Sequence, residues 1–433
     1  MNITVVGLWH LGSVTAACLA SAGHKVIGID SDENVLAGLK DGKAPLFEPG
    51  LDDLIKKMLT SGQLTFTADR VAALKDADIL WVTIDTPVDE NDIADTEFVV
   101  REIESCFKFL PDRAVIAISS QLPVGSTAAV RKLLHKQLPK SPIEFAYVPE
   151  NLRLGKAIDC FMKPDRYVVG TSSEAADKKL RAALAPITDR VESMRIESAE
   201  MTKHAINAFL ATSVVFANEL ATICEQVNAD AKEVERGLKT EMRIGPLSYL
   251  SPGSAFAGGT LARDCRFLEQ RGREHGKALP LISSVLKSNE VHKRWPEEKL
   301  TEILGSLKGR RVAVLGLTYK AQTSTLRRSA AVETCQALHS AGAHVQAFDP
   351  GVKELPEELS FITLAKDIDS ALRGADVLLV QTQWPEFRQV TLDSATSLLK
   401  DPVIVDPNGF LAATFQGQSK ARYYVIGRSA AHA

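Results

Sequence analysis

Twice in this chain a short β-rich run ends at a glycine, gives way to a helical stretch, and resumes as a second β-rich run closed by an aspartate. Near the start the runs are Asn2–Val6 before Gly7 and Lys25–Ile29 before Asp30, with the small-residue stretch Ser13–Ala22 between them. Near the end they are Val312–Leu315 before Gly316 and Val345–Phe348 before Asp349, around a helical stretch through Thr334–Leu338. The order strand, glycine turn, helix, strand, acid is that of a parallel βαβ unit that binds a dinucleotide.

More strand candidates follow each unit. Ile79–Thr83, Ala114–Ile118, Phe145–Val148 and Tyr167–Val169 follow the first, and Val377–Val380 and Val403–Val405 the second. Strands spaced by helical stretches predict doubly wound parallel sheets. Between the two halves the texture changes. Met201–Val227 has few breakers and apolar residues at helical spacing, which predicts one long helix of the kind that bridges domains or subunits. Pro246, Pro252, Gly253, Gly258 and Gly259 then mark an irregular loop. The expected architecture is α/β: two Rossmann-like doubly wound parallel-sheet domains, at 1–198 and 301–433, joined by a helical middle domain at 199–300.

Composition excludes some functions. The chain has 433 residues, 51 Lys plus Arg against 54 Asp plus Glu, and a formal charge of −3, which argues against nucleic-acid binding through bulk charge. Its six cysteines form no CxxC pair, so neither a zinc ribbon nor a disulfide framework is expected, and a reducing, cytoplasmic setting is. No basic stretch leads into an apolar core at the start, and no run of apolar residues is long enough to span a membrane, so neither a signal peptide nor membrane association is expected. His10, His204 and His292 show no metal-ligand spacing and read as structural, and no metal is expected. Phe47 and Trp81 read as core residues rather than cofactor-stacking groups.

Six segments then carry a resemblance across nearly the whole chain. They are Pro45–Leu51, Asp85-Thr86-Pro87, Pro149–Leu152, Glu200–Lys203 with Asn207–Leu210, Arg243-Ile244-Gly245, and Gly316–Lys320. In this order they resemble the UDP-glucose/GDP-mannose dehydrogenase family, whose members oxidise the C6 alcohol of a nucleotide-linked hexose to a carboxylate with two NAD, commonly as dimers around a long central helix. The resemblance implies NAD held by Gly7, Trp9, His10, Leu11, Gly12, Asp30, Thr86, Pro87 and Gln121. It implies a nucleotide sugar held by Leu152, Arg243, Phe256, Gly258, Lys320 and Arg327, and a homodimer.

The chemistry has its own requirements. Hydride transfer from an alcohol needs a base for the hydroxyl proton and donors for the developing oxyanion. Lys203 and Asn207, four apart on one helix face, are placed to point at one oxyanion. Glu150 follows a strand and a proline, where α/β sheets put site residues. The resemblance assigns oxyanion stabilisation to Lys203 and Asn207, and protons and water to Glu150 and Asp264. Taken singly, each has a plainer reading: a solvated helix face for Lys203 and Asn207, a surface carboxylate for Glu150, a helix N-cap for Asp264.

The departures from the family pattern are as informative. The second oxidation needs a nucleophile, normally a thiolate, to capture the aldehyde. Thr260 stands where the family has that cysteine, and Arg263 where it has a lysine. Cys265 lies five residues on and would need a shifted loop to substitute. Trp9 replaces the middle glycine of the nucleotide loop. Leu154 stands where a second glutamate is expected, Gln121 where a threonine is, and Ser324-Thr325 where an acidic pair is, while Arg328 is gained. The reading favoured is an NAD-dependent oxidoreductase acting on a UDP- or GDP-linked hexose in polysaccharide or glycoconjugate precursor synthesis, stopping at a carbonyl because Thr260 replaces the cysteine. A redox-neutral enzyme, such as an epimerase, and a non-catalytic nucleotide-sugar-binding protein remain the alternatives.

Overall fold

The computed structural model describes residues 1–87, 94–257 and 259–429. The chain divides into two compact units, 1–203 and 204–433.

The first unit is built on an eight-stranded sheet. Its strands are β1 (Asn2–Val6), β2 (Lys25–Ile29), β3 (Leu64–Thr67), β4 (Ile79–Val82), β5 (Val115–Ile118), β6 (Glu144–Tyr147), β7 (Tyr167–Thr171) and β8 (Val191–Met194). Their spatial order is β3-β2-β1-β4-β5-β6-β7-β8. The first six are parallel, and the order reverses between β1 and β4, the place where doubly wound sheets bind ligands. β4 and β5 are buried along their whole length, as strands covered on both faces must be. The expectation of a wholly parallel sheet needs one correction: β7 runs antiparallel to β6, and β8 follows β7. The connection from β6 to β7 contains only the short helix Ala157–Met162, which packs on the helix His10–Ser21, so the chain returns without a crossover.

The second unit carries a six-stranded, all-parallel sheet. Its strands are β9 (Arg311–Leu315), β10 (His344–Phe348), β11 (Ile362–Leu364), β12 (Val377–Val380), β13 (Val403–Val405) and β14 (Arg422–Tyr424), in the order β11-β10-β9-β12-β13-β14. That is the 3-2-1-4-5-6 order of a dinucleotide fold. The same unit holds the helices Ala231–Thr240, Thr260–Glu274, Pro280–His292 and Trp295–Leu304. The architecture expected from the sequence is therefore present: two α/β sheets with a helical region between them in the chain.

The long helix runs Ile196–Val227, 32 residues, a turn and more longer at its start than periodicity alone marked. By length and hydropathy it would suffice to cross a membrane, but Glu200, Lys203, Glu219 and Glu225 along it are each engaged by protein groups. Glu225 accepts from Trp295 Nε1 and Gly427 N and pairs with the buried Lys299 at 2.9 Å, which ties the end of the helix to its own unit. Phe209, Phe216 and Ile223, seven apart, lie exposed on the helix.

Phe47 is the other correction. It is 74% exposed, while Trp81 is buried as expected. In the turn before Gly50 the inward position goes to Glu48, which is 4% exposed and meets three donors: His10 Nε2 at 3.0 Å, Gly155 N at 2.9 Å and Ala157 N at 2.9 Å. A buried carboxylate is held only where such donors meet it, and satisfying Glu48 turns its neighbour outward.

Candidate active site

The nucleotide loop of the first unit is built on two glycines that admit no side chain. Gly7 has φ +85, and a Cβ there would lie 2.7 Å from Ile84 Cα; one on Gly12 would lie 1.7 Å from Gly7 O. Trp9 caps the helix His10–Ser21 with φ −64, a conformation open to any residue, and its side chain is 47% exposed. The loop thus keeps its backbone course and carries the indole on its outer side. Trp9 lines a cleft of about 250 Å³ together with Gly7, Leu8 and Asp30. Asp30 accepts from Leu8 N at 2.6 Å and from Asp32 N at 2.9 Å, one bond per oxygen. A carboxylate offers about four acceptor positions, so Asp30 retains capacity for a ribose diol. Thr86 Oγ1 donates to Gln121 O at 2.8 Å, joining two of the expected cofactor residues, and Pro87 O accepts from Asp95 N. These features fit NAD. His10, the first residue of the helix, turns to Glu48. Leu11 lines a small cavity of about 40 Å³ with Glu150, Leu152 and Cys160.

Glu150 lies just past β6, in the same unit. Lys203, 5% exposed, donates from Nζ to Glu150 Oε1 at 2.9 Å and to Glu150 O at 2.5 Å. The other carboxylate oxygen, Oε2, accepts from Leu152 N at 2.9 Å. Glu200, from the same sequence motif as Lys203, is fully buried. It accepts from Gly125 N, Thr127 N and Thr127 Oγ1, capping the helix Ser126–Gln137. Sequence reasoning placed Lys203 in the site and missed that Glu200 is its structural anchor.

In the second unit the irregular loop before Thr260 is strapped down by side chains. Asn218 accepts from Gly253 N at 3.0 Å, and His292 Nε2 donates to Gly253 O at 2.8 Å. Burial holds His292 below the usual histidine pKa. Asn408 pairs reciprocally with Ser254, and Asn289 with Phe256. Phe256 packs beside Ala208, Ala211 and Cys265. Gly258 lies outside the described residues. Thr260, exposed, opens the helix Thr260–Glu274, whose first turn carries no acidic residue.

Asp264, one turn further, is fully buried. Its Oδ1 lies 2.8 Å from His204 Nδ1, and its Oδ2 accepts from Asn207 Nδ2. Lys203 thus turns to Glu150, and Asn207 to Asp264. His204, read from the sequence as structural, turns out to share Asp264. Cys265 is buried, and burial with the neighbouring Asp264 pushes its thiol up to about 11, so it supplies no ready thiolate.

The substrate positions divide. Arg243 is exposed on a turn and paired with Glu241. Lys320 and Arg327 lie exposed in the loop after β9. Tyr319, which sequence reasoning passed over, lies over the glycine loop: a Cβ on Gly259 would be 2.8 Å from its hydroxyl. Burial raises the Tyr319 phenol, while the guanidinium groups of Arg328 and Arg263 pull against it. Arg328 holds a left-handed backbone with φ 60. The two arginines that depart from the family pattern thus both act on Tyr319.

Three family models of the UDP-glucose/GDP-mannose dehydrogenase family match the chain: the NAD binding domain over 1–188, the central domain over 197–291 and the UDP binding domain over 313–413. The UDP-glucose 6-dehydrogenase TuaD of Bacillus subtilis is 35% identical over 436 residues, covering 99% of this chain and 94% of the relative. That of Rhizobium meliloti is 32% identical over 439 residues, 99% of this chain and all of the relative. Among solved structures, a UDP-glucose dehydrogenase from Pyrobaculum islandicum superposes with a TM-score of 0.83 at 28% identity, covering 93% of each chain. A UDP-D-ManNAc dehydrogenase from Pyrococcus horikoshii gives 0.86 at 25% identity over 99% of each. With the cleft at Asp30 and the buried Lys203–Glu150 pair, these likenesses identify a nucleotide-sugar-binding oxidoreductase that uses NAD on a CH–OH group, and the chain belongs to the UDP-glucose/GDP-mannose dehydrogenase family.

Proposed function

We propose that this protein oxidises the C6 alcohol of a UDP- or GDP-linked hexose in polysaccharide or glycoconjugate precursor synthesis, and that it stops at the carbonyl. The observation that carries the reading is the buried ammonium of Lys203, held by Glu150 in the unit that carries the cleft at Asp30. NAD, when bound, accepts the hydride from the alcohol carbon. Gly7, Trp9, Gly12, Asp30, Thr86 and Gln121 hold it. Lys203 donates to the oxygen on which negative charge develops, and a donor taken out of water is worth far more there than in solvent. Glu150 receives the hydroxyl proton and passes it on; one alcohol and one NAD give one carbonyl, one NADH and one proton. Asn207 has the same oxyanion-stabilising role, and Asp264 handles water and protons. Leu152, Arg243, Phe256, Gly258, Lys320 and Arg327 take up the nucleotide sugar.

Arrest at the carbonyl follows from Thr260. An unactivated hydroxyl is a weak nucleophile at neutral pH, and the neighbouring Cys265 is buried. The reading includes a cytoplasmic homodimer. Its support is the exposed stripe Phe209, Phe216 and Ile223 on the long helix, an apolar face that a second copy would cover.

The test is the amount of NADH formed per sugar consumed, across a panel that includes UDP-glucose and GDP-mannose. A ratio of one supports arrest at the carbonyl, and two shows full oxidation despite Thr260. Sugar converted with no NADH released supports the redox-neutral alternative. No turnover of any sugar that nevertheless binds supports the binding protein.

A further inference from the structure

The long helix presents two donors three residues apart to a single carboxylate on another helix. His204 and Asn207 share a face, and each meets one oxygen of Asp264: Nδ1 of His204 lies 2.8 Å from Oδ1, and Asn207 Nδ2 donates to Oδ2. The pair is shut off from solvent, with His204 1% and Asp264 0% exposed. The imidazole is fixed from a second direction as well. It meets the Phe267 ring edge to face, with centroids 5.4 Å apart and planes at 87°. A ring held by a carboxylate on one edge and an aromatic neighbour has a single orientation, and so does the carboxylate.

This arrangement is costly if its only purpose is stability. Burying a carboxylate and an imidazole costs desolvation that their mutual hydrogen bonds must offset, and buried polar pairs can often give way to well-packed apolar residues. The surroundings offer that alternative, since Ala208, Ala211, Val215 and Cys265 form an apolar cluster beside it. Asp264 sits one turn after Thr260 on the same helix, and the loop leading into that helix is strapped by Asn218, Asn289, His292 and Asn408. The whole segment is built to hold one geometry, and the His204–Asp264–Asn207 group is its innermost part.

We propose that His204 is a positioning residue: with Asn207 it fixes the carboxylate of Asp264 in one orientation, so that proton and water handling by Asp264 depends on the imidazole. This rests on the oxidoreductase reading above. The histidine need not touch the sugar; its effect is on the turnover step rather than on substrate uptake.

Asparagine and glutamine at this position separate positioning from simple packing. An Asn side chain sets an amide nitrogen near the Nδ1 position, and a Gln side chain sets it near the Nε2 position. His204→Gln and His204→Phe are expected to lower kcat for NADH formation by about 100-fold with KM within about twofold, the scale of a small misplacement of a reacting group. His204→Asn is expected to recover most of the rate. Equal losses in the Asn and Gln variants, or unchanged kcat in both, overturns the proposal, and the comparison survives a Phe variant that does not fold. If the unaltered chain reduces no NAD with any sugar of the panel, the oxidoreductase reading fails. The positioning claim is then read from the downfield imidazole N–H resonance. It should be present in the unaltered chain and lost in Asp264→Asn, and its absence from the unaltered chain overturns the proposal independently of activity.

Discussion

Lys203 donates twice to one residue, to Glu150 Oε1 at 2.9 Å and to the main-chain oxygen of Glu150 at 2.5 Å. A side chain with three donors and one compact charge suits this double contact, and a planar guanidinium does not. Lys203→Ala is expected to lower kcat for NADH formation by about 10²- to 10³-fold, the usual loss on removing one oxyanion donor. Lys203→Arg should recover little of it. Initial rates measured beside thermal unfolding decide the matter: a rate loss that merely tracks loss of fold would assign Lys203 a structural role.

Thr260 is the first residue of a helix that has no side-chain cap and no acid in its first turn. A thiol at such a helix N-terminus is acidified, so Thr260→Cys should add one site alkylated by iodoacetamide near neutral pH, counted against the unaltered chain, whose native cysteines are buried except the half-buried Cys160. NADH formed per sugar should rise from one towards two. A variant that reacts with iodoacetamide yet still yields one NADH per sugar would show that the missing thiol is not what limits oxidation.

Gly12→Ala puts a methyl group 1.7 Å from Gly7 O, where backbone faces backbone and neither side yields cheaply. The expected cost is about 3 kcal/mol or more, with loss of NAD binding. Gly62, with φ +71 and nothing within 4 Å of its absent Cβ, is the control. Gly62→Ala carries only the left-handed backbone penalty of about 1 kcal/mol and should leave NAD affinity unchanged. Urea unfolding of both variants, with NAD titration, checks the contrast.

Glu235 supplies a pH prediction. Burial works to raise its carboxyl, but bonds from Lys239, Ser251 and Lys232 outweigh burial and bring it from 4.5 to about 2. A depressed folded-state value contributes stability that is present above 4.5 and is lost as pH falls towards 2. Glu235→Gln should therefore destabilise the chain at pH 6 and flatten the decline of Tm between pH 4.5 and 2. An unchanged acid limb would refute the assignment.

The fold was legible where the chain repeats a strong local signal. The runs at Asn2–Val6, Lys25–Ile29, Val312–Leu315 and Val345–Phe348 announce strands because strands covered on both faces are built mostly of apolar residues. β3, β8, β11 and β14 escaped notice because they are the edge strands of the two sheets and carry exposed positions, whereas β13, as short as β11 and β14, is buried throughout. The reversal at β7 depends on where the short helix Ala157–Met162 packs, which no local pattern records. In the site, residue types and motif order pointed to Glu150, Lys203, Asn207 and Asp264. The partner each one takes did not follow, because the contacts span 53 to 60 residues of sequence. The buried roles of Glu48 and Glu200 did not follow for the same reason: donors to them come from helix starts 109 and 73 residues away.

The two aspartates that close the second strands of the two sheets have diverged in a way that divides labour between them. Asp349 is 1% exposed, and its Oδ2 alone accepts from Leu317 N, Thr318 N, Thr318 Oγ1 and Trp384 Nε1, while Oδ1 accepts from Gly351 N. Asp30 accepts one bond on each oxygen and borders open space. With four internal donors on one oxygen and the carboxylate buried, the acid of the second sheet has become a rivet for its own turn. A sugar hydroxyl meets no open carboxylate there, so of the two matching acids only Asp30 faces a cleft.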